Sequence, residues 1–398
     1  MDAEQGPSRT GNVAGFEAIV AWLLRETHGE RFIDNIFVDL CDRIRAVGIP
    51  VGRATLHFRI NHPEWLGARI LWKTGLREAD IEMFEHGVEE TEAFLQSPMN
   101  AILQGATEVR QKLLDARPGP SYSLFADLAA QGLTEYVAWP MEHTLNKRHI
   151  VTFSSDAEGG FTDQQVATLR SMVPILSLVS EVRIKNALAR TLLQTYVGPH
   201  AGEQILAGAT RRGSGVTLSA IVMIFDVRDF TAISDLWPRD DVIDMLNQCF
   251  DALAEPIESH GGEILKFMGD GLLAVFPLAN ESAPHNAFEA ILGIQQAMAG
   301  LNAVRLAAGQ PELGYGIGVH SGDVMYGNIG STKRLDFTVI GPTVNIASRL
   351  EALTKTTHNP VLLSDAFVQS GNLHDRVTDV GLFPLRGLVE PIEVYRPL

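Results

Sequence analysis

The stretch Phe267-Met268-Gly269-Asp270-Gly271 lies between two apolar runs, Glu263 to Met268 and Leu272 to Phe276. Apolar runs joined by so short a polar sequence are typical of a β-hairpin with a tight turn. Such a hairpin holds Asp270 at its tip, where a carboxylate can bind a metal ion. Aspartate is also a common turn residue with no further role, so the flanking sequence has to decide between the two interpretations.

The chain around this hairpin predicts a complete α+β domain. Leu218 to Phe225 is almost continuously apolar, as in a strand buried on both faces, and it ends directly in Asp226. Helical periodicity from Val242 to Ile257 precedes the hairpin, and a second helix, Ile291 to Leu306, and a strand, Gly314 to His320, follow it. The order β-α-β-β-α-β is that of the ferredoxin-like fold, in which the first strand lies beside the hairpin.

This arrangement predicts that Asp226 and Asp270 share one site. Paired carboxylates suit Mg²⁺ or Mn²⁺, which are hard cations that prefer oxygen ligands. Two ions held by such a pair can activate a hydroxyl group and stabilise a leaving phosphate. The turn Val227 to Thr231 after Asp226, which includes Phe230 and Thr231, offers backbone N–H groups to a triphosphate.

Composition limits the class of protein. The 398 residues, 45% of them hydrophobic, are enough for two domains and a connector. The net charge of −16 argues against broad contact with nucleic acid or anionic membranes. Cys41 and Cys249 are isolated, which predicts neither a disulfide nor a zinc site. The most apolar window, Met172 to Val182, is short, and Met1 to Thr10 lacks a signal-peptide core, so we expect a soluble, cytoplasmic protein without a membrane span.

Three parts are predicted before the ferredoxin-like domain of residues 215–398. Residues 1–50 form a helical segment after about ten disordered residues. Residues 51–165 form an α+β sensory domain that loosely resembles GAF or PAS domains, with helices between its two pairs of strands up to about Ala116. Residues 166–214 form a helical linker. The predicted strands are Ala54–Arg59, Ala68–Trp72, Glu135–Met141 and His149–Ser154, with a turn at His62–Glu64 and a loop at Arg117–Pro120.

The linker begins with a helix-start signal. Thr162 is the predicted N-cap and Gln165 completes a capping box, after which an apolar stripe continues from Val166 to Leu192. A helix of this length is a plausible parallel two-stranded connector between domains. It is equally interpretable, as far as Val182, as the last helix of the first domain packed on its own sheet. Pro174 argues against perfect continuity.

Four motifs in the second domain resemble the successive motifs of class III nucleotide cyclases. The resemblance extends over residues 215–398 and implies a head-to-tail homodimer with two equivalent sites, each built from both subunits. It also implies that ATP or GTP is converted to the cyclic 3′,5′-monophosphate and pyrophosphate. The motifs are Phe225-Asp226-Val227-Arg228-Asp229-Phe230-Thr231, Leu265 to Gly271, Gly318-Val319-His320-Ser321-Gly322 and Gly341 to Glu351.

The resemblance implies a role for each matching residue. Asp226 and Asp270 correspond to the metal-binding aspartates of one subunit, with two Mg²⁺ or Mn²⁺ ions per site. Lys266 of the other subunit corresponds to the residue that recognises the base. Asn345 and Arg349, also of that second subunit, correspond to the pair that positions the ribose and stabilises the reacting phosphate. One metal ion is then expected to activate the ribose 3′-hydroxyl and the other to hold the triphosphate.

The choice of base rests on Lys266 and Thr338. An ammonium donor with an oxygen acceptor fits the N1 and 6-amino groups of adenine, whereas guanine prefers a carboxylate opposite its N1–H. Threonine at this position resembles class IIIb adenylate cyclases, in which bicarbonate stimulation is common. We therefore expect ATP as the substrate, with Asp336 as a rival acceptor and bicarbonate or another small molecule as a possible regulator.

Three positions depart from the usual family pattern. Asp229 stands where glycine is common, and its carboxylate would repel a triphosphate unless it turns away to cap the next helix. Gly316 stands where many members have arginine. Arg386 replaces a lysine that contacts the terminal phosphates, and it keeps the positive charge. His320, also near the motifs, is best explained as a structural residue.

Alternative functions follow from the same residues. A guanylate cyclase would share every motif except the base-recognising pair. A second alternative is a domain that binds nucleotide without catalysis and regulates a partner. The departures from the family pattern at Asp229 and Gly316 favour this alternative. A GGDEF-type diguanylate cyclase shares the core fold, but Phe267 to Gly271 does not match its hairpin sequence.

Overall fold

The structure, a computed structural model, describes residues 9–60, 65–113, 122–209 and 211–398. It divides into two compact units, Met1–Leu192 and Leu193–Leu398. The predicted turn at His62–Glu64 and the loop at Arg117–Pro120 lie outside the described residues. So does most of the N-terminal stretch predicted to be disordered, although Arg9 and Thr10 belong to the first helix.

The first unit is a six-stranded antiparallel sheet with helices, in the strand order β3-β2-β1-β6-β5-β4. This confirms the α+β class expected for the N-terminal part. Its elements are α1 Arg9–Arg25, α2 Ile33–Ala46, β1 Val51–Arg59, β2 Trp65–Lys73, β3 Asp80–Glu85, α3 Glu92–Leu95, α4 Pro98–Leu103, β4 Val109–Lys112, α5 Ser123–Ala130, β5 Glu135–His143, β6 Lys147–Ser155 and α6 Asp163–Val197.

Helical segments were predicted between β2 and about Ala116. The described part of this stretch has the short helices α3 and α4, and it also has two edge strands, β3 and β4, that were not predicted. β3 is almost entirely exposed and β4 has only four residues, so neither shows the alternation of buried and exposed side chains that identifies a strand in a sequence. Each pairs with one neighbour only, and an edge strand needs fewer apolar residues than a central one.

One face of this sheet carries the main core of the unit. Leu56, Phe58, Val151 and Phe153 pack there against residues of α1, α2 and α6. A smaller core on the unit contains Ile102 of α4, Phe125 of α5 and residues of β5 and β6. Burial of apolar side chains on both sides of the central strands holds the unit together.

Helix α6 begins as the sequence predicts. The backbone N–H of Gln165 donates to Oγ1 of Thr162 at 3.2 Å, and the N–H of Thr162 donates to Oε1 of Gln165 at 2.9 Å. The helix continues through Pro174 and runs from the first unit into the second. Its apolar stripe is buried in the core of the first unit as far as Val179, as expected for a helix packed on its own sheet. Pairing of α6 with a second copy stays a prediction.

The second unit contains the predicted ferredoxin-like core. Its elements are α7 Pro199–Leu206, β7 Gly215–Val227, α8 Phe230–Leu236, α9 Arg239–Ser259, β8 Glu263–Met268, β9 Gly271–Pro277, α10 Ala283–Ala307, β10 Tyr315–Gly330, β11 Leu335–Ile340, α11 Pro342–Thr357, β12 Val361–Ser364, α12 Asp365–Ser370, β13 Val377–Phe383 and β14 Ile392–Pro397.

The sheet of the second unit has the order β13-β14-β12-β10-β7-β9-β8, and β11 pairs with β10. The four strands β10-β7-β9-β8, at one end of this order, give the ferredoxin-like arrangement, in which β7 lies beside the hairpin strand β9. β10 is 16 residues long, far longer than the predicted Gly314 to His320, because it pairs with the whole of β7 and then with β11. No helix within the described residues is long and apolar enough to cross a membrane.

Candidate active site

The hairpin between β8 and β9 holds Asp270 at its tip, as predicted. Gly269 precedes it with φ +71°, a backbone conformation that glycine adopts without strain. Gly271 follows and lies opposite Asp226 in the sheet. A Cβ atom on Gly271 would lie 2.8 Å from the carbonyl oxygen of Phe225 and 3.2 Å from Oδ1 of Asp226. Gly271 therefore allows β7 and the hairpin tip to approach so closely, and Gly269 provides the backbone conformation of the turn.

Asp226 and Asp270 are brought together at this point. The backbone N–H of Val227 donates to the carbonyl oxygen of Asp270 at 3.3 Å, which ties the end of β7 to the hairpin tip. Burial raises the pKa of the Asp226 carboxyl, and the negative charge of Asp270 raises it further. Two like charges in a partly buried place are stabilised by a cation between them.

A lysine supplies part of that positive charge. Nζ of Lys355 on α11 lies 3.6 Å from Oδ2 of Asp226, and it lowers the pKa that burial and Asp270 raise. Within the described ranges, no group of three or more His, Cys, Asp or Glu residues is arranged to hold a metal ion. The donor set is thus two carboxylates, which fits Mg²⁺, because this ion is often held by one or two carboxylates together with water and substrate phosphates.

Glu351 lies one helical turn before Lys355 and is also part of this charged region. It is only 7% exposed, and its Oε1 has no hydrogen-bond partner within the part of the chain that the structure describes. Burial raises the pKa of Glu351, and the charge of Asp226 adds to the effect. The position of Glu351 and Lys355 near Asp226 was not predicted from the sequence. Their i, i+4 spacing on a predicted helix was the available signal, but such pairs are common on helix surfaces.

The residues predicted to recognise the base lie on strands β8 and β11 of the second unit. The ammonium group of Lys266 on β8 donates to Oδ2 of Asp336 on β11. Thr338 follows on the same strand, opposite Gly327, and is 7% exposed, whereas the Asp336 carboxylate is largely exposed. Asp336 is therefore the partner of Lys266 in this structure, and the predicted acceptor Thr338 lies two residues further along the strand.

Asn345 and Arg349 lie one helical turn apart on α11, as predicted. Asn345 is exposed and Arg349 is half-buried. A Cβ atom on Gly387 would lie 3.4 Å from Nη2 of Arg349, so the turn that contains the exposed Arg386 lies against the Arg349 guanidinium. Two of the predicted phosphate-binding cations thus belong to one region of the unit.

The spacing along α11 separates Asn345 from the aspartate pair of the same chain. Lys355, which contacts Asp226, lies ten residues after Asn345 on this helix. At about 1.5 Å per residue, the two positions are about 15 Å apart along the helix axis. Within one chain, Asn345 therefore lies apart from the two carboxylates that are predicted to bind metal.

The turn after β7 places Phe230 and Thr231 at the start of α8, a helix of seven residues. Phe230 packs against the core and Thr231 is exposed. Asp229 occupies the N-cap position, but its side chain accepts no capping hydrogen bond, so the expectation that it caps this helix is wrong. Its φ of +57° explains the difference, because the residue adopts the left-handed conformation that glycine prefers.

Gly316 and His320, two further residues singled out in the sequence, are both explained by packing. A Cβ atom on Gly316 would lie 2.4 Å from Oγ1 of Thr354 and 2.6 Å from Oε1 of Glu351, so the side chain of an arginine has no room at this position. His320 is structural, as expected: its Nδ1 lies 2.8 Å from Oγ of Ser364, and burial lowers its pKa to about 4.

Comparison with known proteins agrees with the motifs. Residues 216–395 match the family model described as the adenylate and guanylate cyclase catalytic domain. "Adenylate cyclase 1" of Rhizobium meliloti is 31% identical over 175 residues, which cover 44% of this chain and 26% of that protein. The adenylate cyclase of Anabaena cylindrica is 32% identical over 209 residues, which cover 50% of this chain and 40% of that protein.

Among solved structures, that of a bacterial light-regulated adenylyl cyclase covers 57% of this chain and 64% of its own, with 26% identity and a TM-score of 0.48. The chain spans less than half the length of the two curated relatives. The region that matches the family model, residues 216–395, lies within the second unit of this chain.

Proposed function

We propose that this protein is an adenylate cyclase, because residues 216–395 match the family model of the adenylate and guanylate cyclase catalytic domain. It converts ATP to 3′,5′-cyclic AMP and pyrophosphate in a homodimer with two equivalent sites. The observation that carries this proposal is the junction of β7 with the hairpin tip, which holds Asp226 and Asp270 together.

The aspartate pair is the proposed metal site. Divalent ions held by Asp226 and Asp270, Mg²⁺ or Mn²⁺ and two per site, would supply Lewis-acid stabilisation of phosphate charge and lower the pKa of the ribose 3′-hydroxyl. The raised pKa of Asp226 supports the assignment, since burial and then the charge of Asp270 disfavour the carboxylate form unless a cation is bound. Lys355 balances part of the charge of Asp226.

Each site is proposed to take residues from both subunits. The separation of about 15 Å along α11 between Asn345 and Lys355, which contacts Asp226, supports this arrangement. Asn345 would position the ribose ring. Arg349, with its planar guanidinium, would bind the oxygens of the reacting phosphate and stabilise the charge that develops there. Arg386 beside it would bind the terminal phosphates, whose departure as pyrophosphate completes the reaction.

Binding of the nucleotide follows from the remaining residues. Lys266 would donate to N1 of adenine and Thr338 would accept from the 6-amino group, as the class IIIb-like pattern implies. The backbone N–H groups at Phe230 and Thr231 would contact the triphosphate. A guanylate cyclase is the second candidate, because Asp336 already pairs with Lys266 and offers a carboxylate near the base.

The first unit is proposed to regulate the second through α6, the helix that runs from one into the other. Comparing the cyclase activity of residues 200–398 with that of the full chain tests this part. A large difference supports regulation, and its sign gives the direction, whereas equal activity contradicts it.

The activity itself is tested with the purified full chain, ATP and Mn²⁺, measuring cyclic AMP and pyrophosphate by mass spectrometry and a coupled assay. We expect both products in equal amounts with ATP and much less product with GTP. Asp270→Ala should abolish turnover without unfolding the second unit. Activity that survives this change would contradict the assignment, and a wild-type preference for GTP would overturn the choice of base.

A further inference from the structure

Strand β1 of the first unit's sheet carries polar side chains on one face and apolar side chains on the other. Side chains alternate along a strand, so Arg53, Thr55 and His57 of β1 lie on the face opposite Leu56 and Phe58. Thr55 and Thr152 of the adjacent strand β6 share a hydrogen bond of 2.5 Å. A row of buried polar groups on a sheet is costly to a protein unless each group has a partner.

A cavity of about 280 Å³ opens at one end of this polar row. His57, Arg69 and His149 line it on the side of the sheet, together with Arg59 and with Arg148, whose guanidinium is paired with Glu142. The remaining surface is mostly apolar and comes from β2, β3 and the short helices α3 and α4. Its apolar contributors include Leu66, Phe84, Phe94, Met99 and Leu103. The volume is at the small end of the range for small-molecule sites.

Two arginines, Arg53 of β1 and Arg69 of β2, lie on this polar face. Arg53 is only 8% exposed. Burial lowers its pKa to about 10, and the nearby charge of Arg69 contributes. Arg69 contacts Glu82 through Nη2 at 2.7 Å, but its buried Nε has no partner in the described part of the chain. Leaving buried guanidinium N–H groups unpaired costs free energy.

Neutral donors complete the polar end. Burial lowers the pKa of His149 to about 3, so the ring is neutral at physiological pH. Its Nδ1 accepts from the backbone N–H of Arg59 at 3.1 Å, which puts the ring proton on Nε2. His57 is also neutral, because burial and the charges of Arg69 and Arg53 lower its pKa to about 3.

We propose that this cavity binds a small organic carboxylate. The carboxylate group lies against Arg69, within the field of Arg53, and the apolar body of the ligand packs against Phe84, Phe94 and Met99. A carboxylate presents two coplanar oxygens that match the N–H groups of a guanidinium, and its single negative charge offsets the repulsion between the two arginines. Because the lining away from the arginines is apolar, the rest of the ligand is uncharged.

Isothermal titration calorimetry on the full chain tests the proposal independently of any cyclase activity. The probes are phenylacetate and hexanoate, their neutral amides phenylacetamide and hexanamide, and inorganic phosphate. At least one carboxylate should bind, and its amide should bind weaker by about tenfold or more, because the charge-assisted hydrogen bonds are lost. Arg69→Gln should weaken carboxylate binding to the level of the amide.

A matched control is Arg170→Gln, which removes the same charge from an exposed ion pair with Glu108 outside the cavity. It should leave the affinity unchanged. Equal affinity for acid and amide, binding of phosphate but of neither carboxylate, or no binding of either carboxylate would each overturn the proposal. If Arg69→Gln fails to fold, the comparison of acid with amide on the wild-type chain still decides.

Discussion

Lys266 donates to the carboxylate of Asp336, and Thr338, the residue predicted to share recognition of the base with Lys266, lies two positions further along the same strand. The Lys266–Asp336 pair is partly exposed on both sides, so it contributes at most about 1 kcal/mol to stability. Lys266 is therefore free to exchange this carboxylate for a nucleotide base at little cost.

The first prediction distinguishes the two possible acceptors. Thr338→Ala should lower kcat/KM for ATP by about fivefold, since one hydrogen bond of about 1 kcal/mol to the 6-amino group is lost. Asp336→Asn should change it by less than about threefold. Steady-state kinetics with ATP and GTP measure both. A larger effect of Asp336→Asn than of Thr338→Ala would identify Asp336 as the acceptor.

The second prediction concerns Asp229, which has a φ of +57°. Asp229→Gly should stabilise the protein by about 1 kcal/mol, because it removes the cost of a side chain in the left-handed conformation. It should also lower KM for ATP, because a carboxylate near the triphosphate is removed. Thermal unfolding and ATP kinetics give the two results.

Asp229→Ala is the matched control, because alanine removes the same charge but keeps a Cβ atom. It should lower KM as the glycine variant does and give no gain in stability. An unchanged KM in both variants would mean that the Asp229 carboxylate points away from the nucleotide.

The third prediction concerns the missing arginine at position 316. Gly316→Ala should destabilise the protein by about 1–3 kcal/mol, because the new methyl group overlaps Thr354 and Glu351. Gly316→Arg should destabilise the protein at least as much and should not tighten ATP binding.

Gly300→Ala is the control, because this glycine lies inside α10 with open space around it. Alanine there should stabilise the protein by about 0.5–1 kcal/mol. Denaturant unfolding compares the three, and a stable Gly316→Arg variant with improved KM would refute the packing argument.

The fourth prediction concerns Asp226 and pH. Its pKa in the folded protein is raised above the value in the unfolded chain, so the folded state holds this proton to higher pH. The stability of the metal-free protein should therefore fall as pH rises through the carboxyl titration range, by the linkage between proton binding and folding. Asp226→Asn should match the wild type at acid pH and become the more stable of the two as pH rises toward neutral.

Added Mn²⁺ should reverse this order at neutral pH. It should raise the melting temperature of the wild type, because an ion bound only to the folded state stabilises it, and should have little effect on Asp226→Asn. An equal shift in both proteins, measured by calorimetry, would place the metal elsewhere.

The sequence predicts the second unit well because its local signals agree with one another. An unbroken apolar strand ending in Asp226, a Gly-Asp-Gly turn and helical periodicity between them specify the ferredoxin-like order, and the structure has it. The capping box at Thr162 is equally local and equally well predicted. Where side chains contact only near neighbours in the chain, the pattern of residues is sufficient.

Features that depend on distant parts of the chain were not predicted. The edge strands β3 and β4 carry little apolar pattern of their own, and they form because a neighbouring strand offers unpaired backbone groups. The contact of Lys355 with Asp226 joins α11 to a strand more than a hundred residues earlier. The left-handed backbone of Asp229 and the close packing at Gly316 are likewise set by the surrounding fold.

The roles of the site residues lead to a last prediction, that two inactive variants complement each other. Asp270→Ala removes a proposed metal ligand, and Asn345→Ala removes the amide that is proposed to position the ribose from the other subunit. In an equimolar mixture after subunit exchange, half of the dimers contain one chain of each kind, and one of their two sites is intact. About a quarter of the wild-type activity should return, on the statistics of random pairing in a twofold dimer.

The most direct test of the account is the rate of cyclic AMP formation from ATP by that mixture, compared with each variant alone and with a mixture of Asp226→Ala and Asp270→Ala. The account predicts negligible rates for each single variant, recovery to about a quarter of the wild-type rate for Asp270→Ala with Asn345→Ala, and no recovery for the two aspartate variants, which damage the same half of the site. Absence of recovery in the first mixture, or recovery in the second, would contradict a site shared between two subunits.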